Sequence, residues 1–120
     1  MEHELSAIYD ITHGLGLAIL TPRWMEYCLD ESTVSKYVQF AVNVFGVNEN
    51  QEPMEIAKQG IEKLSEFFFN ILELKRSFTE VGIDHTNFAV MAAKACGGQM
   101  LPGFKPLAQQ DIEKIFEMCL

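Results

Sequence analysis

The sequence predicts an all-α domain, a bundle of five or six helices. Apolar residues recur at spacings of three and four along most of the chain, and no stretch alternates convincingly at a period of two. Glycine, proline and polar clusters separate these periodic segments. The chain has 120 residues, 48% of them hydrophobic, which is enough for one domain with its own core.

The amino-terminal part predicts two helices joined by a turn. Residues 1–8 have the pattern of a helix end, and residues 9–12 that of a turn. Thr12 is a typical N-cap residue for a second helix, which starts at His13 or Gly14 and runs to about residue 29. Pro22 lacks a backbone N–H, so we expect it to kink or interrupt that helix.

The middle of the chain predicts two amphipathic helices. The first follows the polar residues 30–32 and ends at Gly46, a C-cap signal. The second is the longest of the chain, about residues 53–75, with Pro53 in its first turn. Their apolar faces are Val34, Val38, Ala41 and Phe45, and then Ala57, Ile61, Leu64, Phe68 and Ile71. The run Phe67–Phe69 is wider than one face needs, which favours burial against a further neighbour.

The last part of the chain predicts two more helices. One covers about residues 87–96 and stops at Gly97, and a loop with Pro102 and Gly103 follows it. The final helix covers about residues 107–119. Its apolar face is Ile112, Ile115, Phe116 and Cys119.

Composition excludes several classes of partner. The formal net charge is −8 and the nine basic residues are scattered, so we expect neither nucleic-acid binding nor attraction to anionic membranes. No apolar run reaches the roughly 20 residues of a membrane span.

The cysteines Cys28, Cys96 and Cys119 are widely spaced and form no CxxC pair. They predict free core thiols in a reducing compartment, hence a cytoplasmic protein.

His3 and His13 are the candidate functional residues, because imidazole is a common metal ligand. They do not form an HExxH motif, since no histidine stands four residues after His3. A turn between them could still bring both rings to one pocket. The residues leave two interpretations open, a metal site or a pair of helix-terminal polar groups. The neighbouring acids Glu2, Glu4 and Asp10 are candidate ligands or solvated charges.

Two small residues follow the second histidine. Gly14 and Gly16 would let the start of the helix approach either a ligand or another helix closely. No strand precedes them and a third glycine is absent, so they do not form a dinucleotide-binding fingerprint. The third histidine, His85, stands at a predicted helix start, where capping or exposure accounts for it.

Residues 3–25 read HELSA-x-YDITHG-x-GLAILTP-x-WM, and residues 103–107 read GFKPL, followed by Asp111, Ile112 and Ile115. Together these segments resemble the iron-containing alcohol dehydrogenases, specifically their butanol dehydrogenase-like branch. The resemblance spans the chain. It implies the helical carboxyl-terminal part of a dehydroquinate synthase-like/iron-containing alcohol dehydrogenase fold.

The resemblance also implies an activity and its cofactors. In that family an α/β domain binds NAD(P) and a helical domain holds iron or zinc, and the enzyme interconverts an alcohol and its aldehyde. One aspartate and three histidines hold the metal. His13 matches the last of these ligands, and His3 matches a cleft histidine that would contact substrate or relay a proton.

The match begins after the family's other ligands. Residues 1–120 would therefore form an incomplete helical metal-binding domain without the nucleotide-binding domain, as in a truncated gene product. We expect such a fragment to bind no cofactor and to be inactive alone. A separately encoded amino-terminal dehydrogenase fragment could complement it. The alternative function is an autonomous helical module that associates with itself, as a homo-oligomer, or with a partner.

Overall fold

Six α-helices make up the computed structural model, which describes residues 1–120. They are α1 (Glu2–Tyr9), α2 (His13–Cys28), α3 (Val34–Phe45), α4 (Pro53–Glu66), α5 (Phe88–Cys96) and α6 (Gln109–Met118). A π-helical turn at Phe67–Ile71 extends α4, and 3₁₀ turns lie at Thr79–Val81 and His85–Asn87. The only β-type pairing is an isolated bridge between Leu101 and Leu107. The predicted all-α class is confirmed.

The main core lies where α1, α2, α5 and α6 meet. Its centre is an aromatic cluster of Phe78, Phe88 and Phe116, whose ring centroids lie 5.5–6.2 Å apart. Phe78 and Phe116 are fully buried. Aromatic side chains bury a large apolar area, so this cluster is a main source of stability. The predicted apolar face of α6 points into it, with all four members buried.

A hairpin of α3 and α4 packs against α2 to form a second, smaller core. Met25 of α2 meets Tyr37 of α3 and Ala57 and Ile61 of α4 there. The Tyr37 hydroxyl donates to the Met25 carbonyl at 2.8 Å, and burial raises the pKa of this tyrosine. The hairpin is therefore fixed to the helix that begins at His13.

Two details differ from the sequence-based expectations. The helix α2 is not interrupted at Pro22, which is buried within it. The predicted long helix stops early, because α4 ends at Glu66 and its π-helical extension ends at Ile71. The wider π turn rotates the following side chains, so Phe69 is buried while Ile71 is 65% exposed.

None of the six helices has both the length and the apolar character that crossing a membrane requires.

Candidate functional site

The turn between α1 and α2 brings His3 and His13 together. Asp10 adopts a left-handed conformation at φ 53°, and its backbone N–H bonds to the Ser6 carbonyl at 3.3 Å. This closes α1 and lets α2 begin three residues later, at His13. The two imidazole rings lie with their centroids 5.6 Å apart and their planes inclined by 44°. Both rings are solvent-exposed.

Of the three acidic candidates near the histidines, Glu2 is the one that joins the site. Its side chain is only 3% exposed, so its interpretation as a solvated charge is wrong. One carboxylate oxygen, Oε1, accepts a hydrogen bond from the Ser6 hydroxyl at 2.5 Å. The other, Oε2, is hydrogen-bonded to Nδ1 of His13. The buried charge is thus hydrogen-bonded at both oxygens, as burial of a carboxylate requires.

The space for this carboxylate comes from Gly16. A Cβ added there would lie 2.5 Å from Oε1 of Glu2, closer than atoms can approach. A Cβ added at Gly14 would meet nothing within 4 Å. Of the two glycines in the motif, Gly16 alone serves a close approach, and what it accommodates is a side chain of α1.

The geometry defines the hydrogen-bonding state of His13. A carboxylate only accepts hydrogen bonds, so the hydrogen of this contact lies on Nδ1 of the ring, and Nε2 makes no hydrogen bond in the structure. The His13 side chain is 59% exposed, which leaves that edge accessible. An imidazole oriented by a carboxylate through its other nitrogen is the arrangement that metal-binding proteins commonly use. His13 therefore fits the role of one metal ligand.

The other acidic candidates do not join the pair. Glu4 and Asp10 form no hydrogen bond or ion pair with either histidine. No three His, Cys, Asp or Glu side chains of the chain converge on a point where they could hold a metal ion. His85 lies elsewhere, exposed on a 3₁₀ turn capped by Asp84, whose side chain accepts from the Thr86 N–H at 2.9 Å.

Several surface clefts border α2. A mainly apolar one of about 220 Å³ is bordered by Glu2 and by Leu17, Leu20 and Trp24. A larger one of about 370 Å³ between α2 and α4 has a mixed-charge lining, and none of the histidines lines it. The cleft of about 220 Å³ is bordered by Glu2, the hydrogen-bond partner of His13, but not by either histidine.

A second polar cluster joins α2 to the carboxyl-terminal part of the chain. Lys105 forms an ion pair with Asp30, and this contact holds the pKa of that carboxyl well below its usual range. Nearby, Tyr27 donates to Asp111, which lowers the pKa of Asp111 and raises that of Tyr27 to about 12. The first contact fixes the loop before α6 against the residues that follow α2. The second fixes the first turn of α6 against α2.

The fold and the site define a class of protein: a helical domain with an exposed imidazole at the start of a helix, hydrogen-bonded to a buried carboxylate. The chain belongs to the Fe-containing alcohol dehydrogenase family, because the family model of the carboxyl-terminal domain matches residues 1–120. The proposed assignment from the HELSA-x-YDITHG segment is thereby confirmed at the level of the family.

Among sequence relatives, the chain is 44% identical to NADH-dependent butanol dehydrogenase B of Clostridium acetobutylicum, over 98% of this chain and 30% of that protein. It is also 44% identical to NADH-dependent butanol dehydrogenase A of that organism, with the same coverage. The chain thus spans about a third of the length of these relatives.

Solved structures show the same fold. The NADH-dependent butanol dehydrogenase A from Thermotoga maritima superposes with a TM-score of 0.82 at 28% identity, covering 98% of this chain and 31% of that one. A 1,3-propanediol oxidoreductase superposes with a TM-score of 0.88 at 23% identity, covering 99% of this chain and 31% of the other. The second likeness concerns the fold alone.

Proposed function

We propose that this chain is the carboxyl-terminal part of a metal-dependent, NAD(P)H-linked alcohol dehydrogenase that interconverts a primary, butanol-like alcohol and its aldehyde. The observation that carries the proposal is the Glu2–His13 pair, which leaves Nε2 of an exposed imidazole free beside His3. The names of the relatives, NADH-dependent butanol dehydrogenases, support the substrate class and the nicotinamide cofactor.

In this proposal each histidine has one role. When bound, the divalent metal polarises the alcohol or aldehyde oxygen, and the nicotinamide accepts or donates the hydride. His13 contributes one ligand through Nε2. His3 lies beside it and is exposed to solvent, so it is placed to exchange the hydroxyl proton with water. Imidazole binds both iron and zinc, so His13 is compatible with either.

We further propose that residues 1–120 are inactive on their own and hold no cofactor. Catalytic metal sites use about three protein ligands plus one open position, whereas His13 is the one residue assigned here as a ligand. The three free cysteines support a reducing, cytoplasmic setting for the protein.

A hybrid enzyme tests the proposed function. Residues 1–120 replace the matching segment of butanol dehydrogenase B, and NADH-dependent butanal reduction and bound metal are measured. We expect a metal-loaded, active hybrid. His13→Ala should lose metal and activity, whereas His3→Ala should keep the metal and lose turnover.

The control for these variants is His85→Ala, which removes an exposed imidazole that contacts neither candidate residue. It should leave both measurements unchanged. A folded hybrid that keeps its metal content when His13 is replaced would contradict the assignment of the ligand. An isolated 120-residue chain that reduces butanal would contradict the proposed inactivity.

A second candidate function is association with a copy of itself or with an amino-terminal dehydrogenase fragment. The observation in its favour is the group of apolar side chains exposed at the end of the α4 extension: Phe67 is 38%, Leu72 49% and Ile71 65% exposed. Exposed apolar groups of this kind are typical of association surfaces.

Sedimentation of the purified chain, alone and mixed with the part of butanol dehydrogenase B that precedes the match, separates these outcomes. A dimer that Ile71→Ser disrupts indicates self-association. Butanal reduction that appears only in the mixture indicates complementation. A monomer that remains monomeric in the mixture rules out both.

A further inference from the structure

We infer that Glu2 is the positioning residue of His13: its buried carboxylate fixes the imidazole in the Nδ1–H tautomer and thereby directs the Nε2 lone pair outward. The tautomer is inferred from the contact between Oε2 of Glu2 and Nδ1 of His13, because a carboxylate only accepts hydrogen bonds. The further claim that this tautomer favours metal binding rests on the proposed function.

The side chain of Glu2 is held in place between α1 and α2. It lies in the first turn of α1 with only 3% of its side chain exposed. The Ser6 hydroxyl holds Oε1 at 2.5 Å, and Gly16 of α2 closes the space on the other side. A rotamer pointing to solvent would break the hydrogen bonds of Glu2 to Ser6 and His13.

The contact between Glu2 and His13 is compatible with one tautomer of the neutral ring. Neutral imidazole has one N–H donor and one acceptor nitrogen. Because Oε2 can only accept, an Nε2–H tautomer would set two lone pairs against each other at Nδ1. The buried carboxylate thus selects Nδ1–H.

Gly16 provides the space in which the carboxylate of Glu2 lies. Adding a methyl group there would force the carboxylate to move, because the new atom would lie 2.5 Å from Oε1 and 2.8 Å from Cγ of Glu2. The absence of a side chain at Gly16 of α2 thus leaves the space that Glu2 of α1 needs to reach the ring of His13. Gly14 offers a matched position without this coupling.

The test reads the tautomer directly. The ¹⁵N shifts of the His13 ring are measured in the ¹⁵N-labelled 120-residue chain, in mildly alkaline solution where imidazole is neutral. We expect mainly Nδ1–H in the unmodified chain. In Glu2→Gln the amide can offer an N–H to Nδ1 while its oxygen still accepts from Ser6, so we expect the population to shift to Nε2–H.

Matched variants exclude a general structural effect. Glu4→Gln removes a neighbouring charge of α1 that does not contact His13 and should leave the tautomer unchanged. Gly16→Ala should reduce the Nδ1–H population, whereas Gly14→Ala should not. If Glu2→Gln fails to fold, the comparison of Gly16→Ala with Gly14→Ala still tests the inference. An Nε2–H tautomer in the unmodified chain, or the same population in all folded variants, would overturn the inference.

Metal affinity separates this inference from the proposed function. In the metal-binding hybrid we expect Glu2→Gln to weaken Zn²⁺ affinity about 10- to 100-fold, the usual effect of losing such a partner. If the tautomer shifts while Zn²⁺ affinity is unaffected, Glu2 still positions His13, and the role of His13 as a metal ligand fails instead.

Discussion

Tyr27 donates its phenolic hydrogen to Oδ1 of Asp111 at 2.5 Å, a contact between residues 84 positions apart. The other oxygen of Asp111 accepts the backbone N–H of Ala108 at 2.8 Å, at the start of α6. One carboxylate therefore caps a helix and joins it to α2. The pairing with Tyr27 is the main reason that the pKa of Asp111 lies below its usual value.

Tyr27→Phe should destabilise the chain by about 1 kcal/mol, since it removes a hydrogen bond to a partly exposed charged group. The effect should depend on pH. The folded pKa of Asp111 is lowered, so the stabilisation is present above the ordinary carboxyl range and is lost as the pH falls through the folded value. Urea unfolding at neutral and acid pH measures it.

The matched control for this prediction is Glu117→Gln, at an exposed position of α6. It should change the unfolding free energy little at either pH. A difference between Tyr27→Phe and the unmodified chain that stays constant down to strongly acid pH would show that the carboxylate is not involved.

Gly60→Ala should destabilise the fold. Alanine is intrinsically the better helix former by about 1 kcal/mol, but at this position a steric clash outweighs that preference. A Cβ at this position would lie 2.7 Å from Cβ and 3.2 Å from Cα of Ala41, where α3 and α4 are in contact. The helices would have to separate. Thermal unfolding should show a lower Tm, whereas Gly14→Ala, which meets nothing, should not lower it.

The three thiols should differ in reactivity. Burial raises the pKa of Cys28, and it raises that of Cys119 to about 12, so few thiolates form at either position. Cys96 is only half-buried. A thiol reagent applied to the native chain should modify Cys96 first and the others only on unfolding. Cys96→Ser should abolish the fast reaction; fast modification that persists in this variant would contradict the assignment.

Phe78→Ala should cost about 3–5 kcal/mol, the range for removing a fully buried aromatic side chain. Phe78 is 0% exposed and contacts the rings of Phe88 and Phe116. Phe67→Ala, at a position 38% exposed, serves as the control and should cost much less. Chemical unfolding measures both. Equal losses would mean that the aromatic cluster is not the centre of the core.

Residues with regular spacing were the most predictable part of the fold. The face of α6 repeats at three and four residues and is entirely buried, as expected. Gly46 and Gly97 end α3 and α5 in left-handed conformations, as their capping positions predict. Phe78 lies outside every helix, so no periodicity identified it as the centre of the core.

The candidate site was predictable only in part. His3 and His13 stand out because imidazole is rare in this chain and both flank a turn. Glu2 was a candidate, but it stood out no more than Glu4 and Asp10, because acidic residues are numerous and usually exposed. The available signals were weak ones: a serine four residues after Glu2, and a glycine in the first turns of α2.

The sequence by itself determined the helical class, most helix ends and the family, because apolar spacing, capping residues and the HELSA-x-YDITHG segment are local properties of the chain. The tertiary structure alone decided that Glu2 is buried behind His13, that Phe69 and not Ile71 packs inward, and that Phe78 is central. Each of these depends on which surfaces meet when distant segments pack, and burial of a side chain is fixed by those partners.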